Sequence, residues 1–218
     1  MLELESWMDA CAAAVERAFG DRVRCVGLQG SRGRGEAGPD SDIDVVLVLD
    51  VLMAEDLDRY EAVLDTLPHR ELVCGFVSGW EELRRWERGD LFQLLSDTRV
   101  CRGSLDGLRE LVKPEDVRRA VLTGACGLYH ACVHNRLHER DPELLRQLGK
   151  SVFFTLRAKH YAETGRFLLR RDQLAGALPP EERALLEAFG REDFRALSRR
   201  LLDWSGALIR SWEPEGGI

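Results

Sequence analysis

No apolar run in this sequence approaches the length of about twenty residues that a membrane-spanning helix needs. The acidic stretch from Leu2 to Phe19 lacks the basic start and apolar centre of a secretory leader, so a cytoplasmic protein away from the membrane is expected. Paired cysteines are also missing. The six thiols, at positions 11, 25, 74, 101, 126 and 132, contain no CxxC spacing, and most have apolar neighbours, the pattern of reduced, buried thiols and not of disulfides or a zinc ribbon. Basic charge is scarce where a nucleic-acid groove would need it: residues 113–218 carry 18 basic against 15 acidic side chains, leaving 13 against 23 for residues 1–112, hence +3 and −10. So acidic a first half argues against broad nucleic-acid binding. Lysine occurs only at 113, 150 and 159, and no function is read from that. What is present is ordinary for a globular chain, 44% hydrophobic and 32% charged over 218 residues, enough for one large domain or two small ones.

Hydrophobic periodicity divides the chain near Val112. Trp7, Cys11, Val15 and Ala18 share a helical face, and Gly20 follows as a stop signal. Strands are expected over 22–28, 42–50, 70–77 and 98–101, with helices over 54–67, from Ser78-Gly79-Trp80-Glu81 towards Trp86, and around 91–95. From Lys113-Pro114 onward the pattern is helix only, with spans near 114–138, 142–164, 167–177, 180–189 and 192–212, and a frayed end from Pro214 to Ile218. The expected fold class is α+β: a mixed sheet with flanking helices over residues 1–112, then an all-helical bundle over 113–218.

The segment from Leu28 to Leu49, LQGSRGRGEAGPDSDIDVVLVL, organises the first half. Gly30-Ser31 follows one apolar run, and Asp42-Ile43-Asp44 heads the next. Side chains alternate along a strand, so Asp42 and Asp44 share a face about 7 Å apart while Ile43 points to the core. Two such carboxylates repel when both are ionised, and a cation is expected between them. Two other phosphate-loop patterns are accidental. Gly33-x-Gly35-x-x-Gly38 is followed by a strand instead of a helix, and Gly149-Lys150-Ser151 lies mid-helix.

Gly30-Ser31 followed after ten residues by Asp42-Ile43-Asp44 resembles the signature of the polymerase-β-like nucleotidyltransferase superfamily, in particular its small and aminoglycoside-modifying members. The resemblance covers roughly residues 20–112. It implies a polymerase-β-like sheet and transfer of a nucleoside monophosphate from an NTP, with ATP expected, to a hydroxyl of a small-molecule acceptor, releasing pyrophosphate. Asp42 and Asp44 would then ligate Mg²⁺ in a two-metal site. Gly30 would let backbone approach a phosphate, Ser31 would donate to phosphate oxygens, and Arg32 and Arg34 would clamp the triphosphate. The superfamily usually places a further acid on the next strand. Here that stretch, Arg70 to Phe76, offers only Glu71, with Asp97 and Glu163 as other candidates for the base that takes the acceptor proton. Two alternatives keep the site and change its use: AMP transfer to a protein partner, as in toxin–antitoxin pairs, or nucleotide binding without turnover.

The helical half resembles the helical domains that accompany such modules and cover the nucleotide. Lys150 is the expected nucleotide contact there, with Arg157 and Lys159 as further cations. His130, His134 and His138 fall on one helix face; a zinc site lacks a zincin Glu or a Cys pair, and a partly buried surface stripe is favoured over a face lining an interdomain cleft.

Overall fold

In the computed structural model, residues 3–213 are described; the tail from Pro214 read above as frayed lies outside them. The chain divides into two compact units, one up to Leu111 and one from Val112.

The first unit is built on a four-stranded mixed sheet. Helix α1 (Leu4–Phe19) leads through a single 3-10 turn into β1 (Val23–Gln29). A five-residue helix α2 (Gly30–Arg34) and a polar loop connect it to β2 (Ile43–Leu49), which returns antiparallel. Helix α3 (Ala54–Leu64) crosses over so that β3 (Val73–Gly79) runs parallel to β2. Short helix α4 (Trp80–Leu83) and α5 (Arg88–Asp97) lead to β4 (Arg99–Gly103), antiparallel to β1, and α6 (Asp106–Arg109) ends the unit. The strand order is β3-β2-β1-β4, which leaves β3 and β4 as edges.

Alternation decides which face is buried where. Val26 and Leu28 of β1 and Ile43, Val45, Leu47 and Leu49 of β2 pack against Trp7, Cys11, Val15 and Phe19 of α1 and Tyr60 and Leu64 of α3. The even-numbered residues of β2 therefore face the other way, and Asp44 stands at the start of that second face. Arg22, just before β1, ties the sheet to α3 by bonding both Asp50 (3.0 Å) and the buried Asp56 (2.7 and 2.8 Å). These bonds hold the Asp56 carboxyl down at about 2.

The second unit is helical: α7 (Pro114–His134), α8 (Pro142–Thr164), α9 (Arg171–Ala177), α10 (Pro180–Ala188) and α11 (Phe194–Ser211). Its core joins Leu128 and Cys132 of α7 to Val152, Phe153 and Leu156 of α8, Leu174 of α9, Leu185 of α10 and Leu201 of α11. The α+β class with a helical second part is thus the observed fold. The expected first helix of this half stops earlier, at His134, and continues as one π-helical turn over Asn135–Glu139. Residues 167–170 lie outside α9, and residues 70–72 form a 3-10 turn ahead of β3. No described helix is long and apolar enough to cross a membrane.

Candidate active site

The register of the sheet brings the Gly30–Ser31 turn and the acidic pair together. Gln29, the last residue of β1, is paired with Asp44 on β2, so Gly30 begins α2 directly beside that carboxylate. A methyl group on Gly30 would lie 1.9 Å from Asp44 Oδ2, and Gly30 has φ +67°. Glycine is required here twice over, for the left-handed backbone and for the carboxylate that fills the space of the missing side chain.

The turn is closed by its arginines. Arg32 donates from Nε to the carbonyls of Ser41 (3.0 Å) and Asp42 (3.2 Å), and from Nη2 to Ser41 O (2.7 Å) and Pro39 O (3.4 Å). It laces the loop of residues 35–42 back to α2 and so fixes where β2 starts. Arg34 donates from Nε to Glu36 (2.9 Å) and from Nη1 to Asp97 (3.0 and 3.3 Å). Both guanidinium groups, expected at a triphosphate, are engaged with the protein's own oxygens. Spacing in the sequence could not reveal those partners.

Among the described residues, no side chain or backbone group bonds the Ser31 hydroxyl, and Asp42, exposed at the head of β2, has no partner for its carboxylate. Asp42, just before β2, and Asp44 within it are hard oxygen donors, and Asp44 is seated where a Cβ on Gly30 would otherwise be. That donor set suits a divalent ion such as Mg²⁺, which takes one or two protein carboxylates and completes its shell from phosphate and water. No cluster of three or more His, Cys, Asp or Glu that could hold a metal occurs among the described residues.

The neighbour of Asp44 on β3 is Cys74, which is exposed, and not a carboxylate. Glu71 sits in the preceding 3-10 turn, with its side chain 73% exposed and His69 Nδ1 3.7 Å away. Asp97 is buried at the end of α5 and accepts from the Gly30 N–H (3.4 Å) as well as from Arg34. The sequence reading named it only as an alternative base, because nothing in the pattern shows that β1 and α5 meet.

The remaining expected residues lie in the second unit. Lys150 is exposed on α8. Arg157, expected as a further cation beside Lys150, is 1% exposed, and its guanidinium lies 4.7–5.1 Å from the ring centres of Phe153, Phe154 and Phe167. Lys159 pairs with Glu163 (2.8 Å) and Glu182 (3.2 Å), which removes Glu163 from the isolated acids. His130, His134 and His138 form an exposed stripe, and His134 Nε2 contacts Glu139 at 3.2 Å.

Residues 9–91 match the family model described as a nucleotidyltransferase domain. That span includes Gly30, Ser31, Asp42, Asp44 and Glu71 and ends before Asp97. No curated protein matches the sequence. Among solved structures, the crystal structure of spectinomycin adenyltransferase AAD(9) from Enterococcus faecialis with ATP and spectinomycin is similar, with a TM-score of 0.52 at 15% identity over 90% of this chain and 98% of that one. At that identity the likeness speaks for the fold.

Proposed function

We propose that this chain, whose residues 9–91 match a nucleotidyltransferase domain, transfers a nucleoside monophosphate from a Mg-NTP, with ATP favoured, to a hydroxyl of a small molecule. The observation that supports this reading is the seating of Asp44 against Gly30, the residue that precedes Ser31. In the reaction the acceptor oxygen bonds the α-phosphorus, the bond from that phosphorus to the bridging β-phosphate oxygen breaks, and pyrophosphate leaves. Asp42 and Asp44 would hold Mg²⁺, and Ser31 would donate to a phosphate oxygen. When bound, the metal supplies positive charge against the triphosphate and the developing charge on the leaving group. Glu71, exposed before β3, would receive the acceptor proton. The ATP and spectinomycin of the similar AAD(9) structure support a nucleotide and a small hydroxylated acceptor. The acidic balance of residues 1–112 suits a cationic acceptor.

Asp42→Asn and Asp44→Asn are each expected to lower Mg²⁺-dependent pyrophosphate release at least ~100-fold, roughly 2.7 kcal/mol of barrier. Release at the wild-type rate in either variant would sink the assignment. Glu71→Gln tests the base separately, by loss of the acidic limb of the pH–rate profile.

A further inference from the structure

The junction between α5 and β4 takes no part in the chemistry just described, yet its polar groups converge on the turn that does. Gln29 Nε2 donates to Leu94 O (2.9 Å) and to Thr98 Oγ1 (2.8 Å), and the Thr98 hydroxyl donates in turn to Leu94 O. One residue on, the Asp97 carboxylate accepts the Gly30 N–H at 3.4 Å and the Arg34 Nη1 at 3.0 and 3.3 Å. Gly30 opens α2 and Arg34 closes it, so both ends of this five-residue helix are tied to a single carboxylate. The bond to Gly30 is long, and the pair with Arg34 does most of the holding.

Helix stability alone would not put an acid there. Asp97 is the last residue of α5, where the helix carbonyls disfavour negative charge. It is also 8% exposed, so water compensates little of its charge. Its Arg34 partner is buried nearly as deeply, at 14% side-chain exposure, and reaches on to Glu36 at the start of the loop that leads to Asp42. The carboxylate is thus embraced by groups that set the height of Ser31 and is turned away from solvent, from which an acceptor hydroxyl would arrive.

We propose that Asp97 is a positioning residue that acts through Gly30 and Arg34 to hold Ser31 where it meets the nucleotide phosphate, and that Arg34 belongs to this brace and not to a phosphate clamp. The inference rests on the nucleotidyltransferase reading above. It assigns the Gly30 N–H to the protein and leaves phosphate contact to Ser31.

The test uses the full chain with Asp97→Asn, Arg34→Gln and the double variant. Calorimetry with Mg²⁺ and the non-transferable analogue α,β-methylene-ATP gives Kd; pyrophosphate release gives kcat, KM and the pH profile; thermal melting reports folding. A brace predicts that each single variant weakens nucleotide Kd and KM about tenfold, that the double variant is no weaker than either single, and that the acidic limb of the pH profile persists. Unchanged Kd with only a lower Tm overturns the proposal in favour of a structural pair. Losses that multiply in the double variant overturn it in favour of Arg34 touching phosphate directly, and loss of the acidic limb in Asp97→Asn makes that residue the base. Should Asp97→Asn not fold, Arg34→Gln and Arg34→Lys carry the same readout: weaker Kd in the first with recovery in the second supports the brace, and no change in the first refutes it. Absence of nucleotide binding by the wild type would bring down the parent reading as well, whereas wild-type binding with unaltered variants brings down this inference alone.

Discussion

Gly30 and Asp44, fourteen positions apart in sequence, show how closely one residue can depend on another. With φ at +67° and Asp44 Oδ2 in the place of a side chain, Gly30→Ala must displace the carboxylate or the turn. Because a carboxylate swings more easily than a backbone, the expected result is a drop in transfer activity of about 100-fold with a melting temperature lowered by only about 5 °C. Activity within twofold of wild type would show that Asp44 is not needed where it lies. A second residue-scale prediction concerns acid stability. Asp56 titrates at about 2 because Arg22 hydrogen-bonds it, below the ordinary carboxylate value near 4. The sign is that of a depressed acid: the stabilisation is fully present above the unfolded value and is lost as pH falls from about 4 through 2. Urea melts of Asp56→Asn should therefore converge with wild type in that window, and a constant gap down to pH 2 would contradict the linkage. The turn at Gly30-Ser31 and the strand that carries Asp44 were legible from sequence because their spacing is itself the signal. Arg32 and Arg34 were not, since a guanidinium's partner is fixed by the folded loop and, for Arg34, by a helix more than fifty residues away.

At the scale of elements, the strands and helices of the first unit followed from alternation and apolar runs, and β3 shows where that evidence ends. Arg70-Glu71-Leu72 continues the strand-like pattern of Val73 onward, but His69 adopts φ +62° and Leu72 N–H donates to His69 O, which winds these residues into a 3-10 turn. Glu71 is thereby held off the strand, and the register delivers Cys74 beside Asp44. Which residue of a parallel neighbour stands opposite a given carboxylate is decided by the α3 crossover and cannot be read from either strand alone. The thiols give an element-level check. Burial pushes Cys11 and Cys25 up to about 12, whereas Cys74 and Cys126 are exposed. Iodoacetamide at pH 8 should alkylate Cys74 and Cys126 of the native protein and spare Cys11 and Cys25, and Mg-ATP should slow the reaction at Cys74 alone. Equal protection of Cys126, or none at Cys74, would show that the nucleotide does not bind beside β3.

The whole molecule joins an acidic sheet unit to a mildly basic helical one, and the periodicity of the sequence changes from mixed to purely helical at Lys113-Pro114. Less visible was the interior of the helical unit, where Arg157 sits among three phenylalanine rings; a lone arginine on a helix ordinarily reads as surface. The central claim concerns which phosphorus the chain moves. Incubation with Mg²⁺ and ATP labelled at either the α- or the γ-phosphate, together with a panel of hydroxylated cationic acceptors that includes aminoglycosides and spectinomycin, decides it. The account predicts α-label in the modified acceptor and γ-label in pyrophosphate, both lost in Asp42→Asn. Recovery of γ-label in the acceptor, or of ADP and inorganic phosphate in place of pyrophosphate, would contradict it.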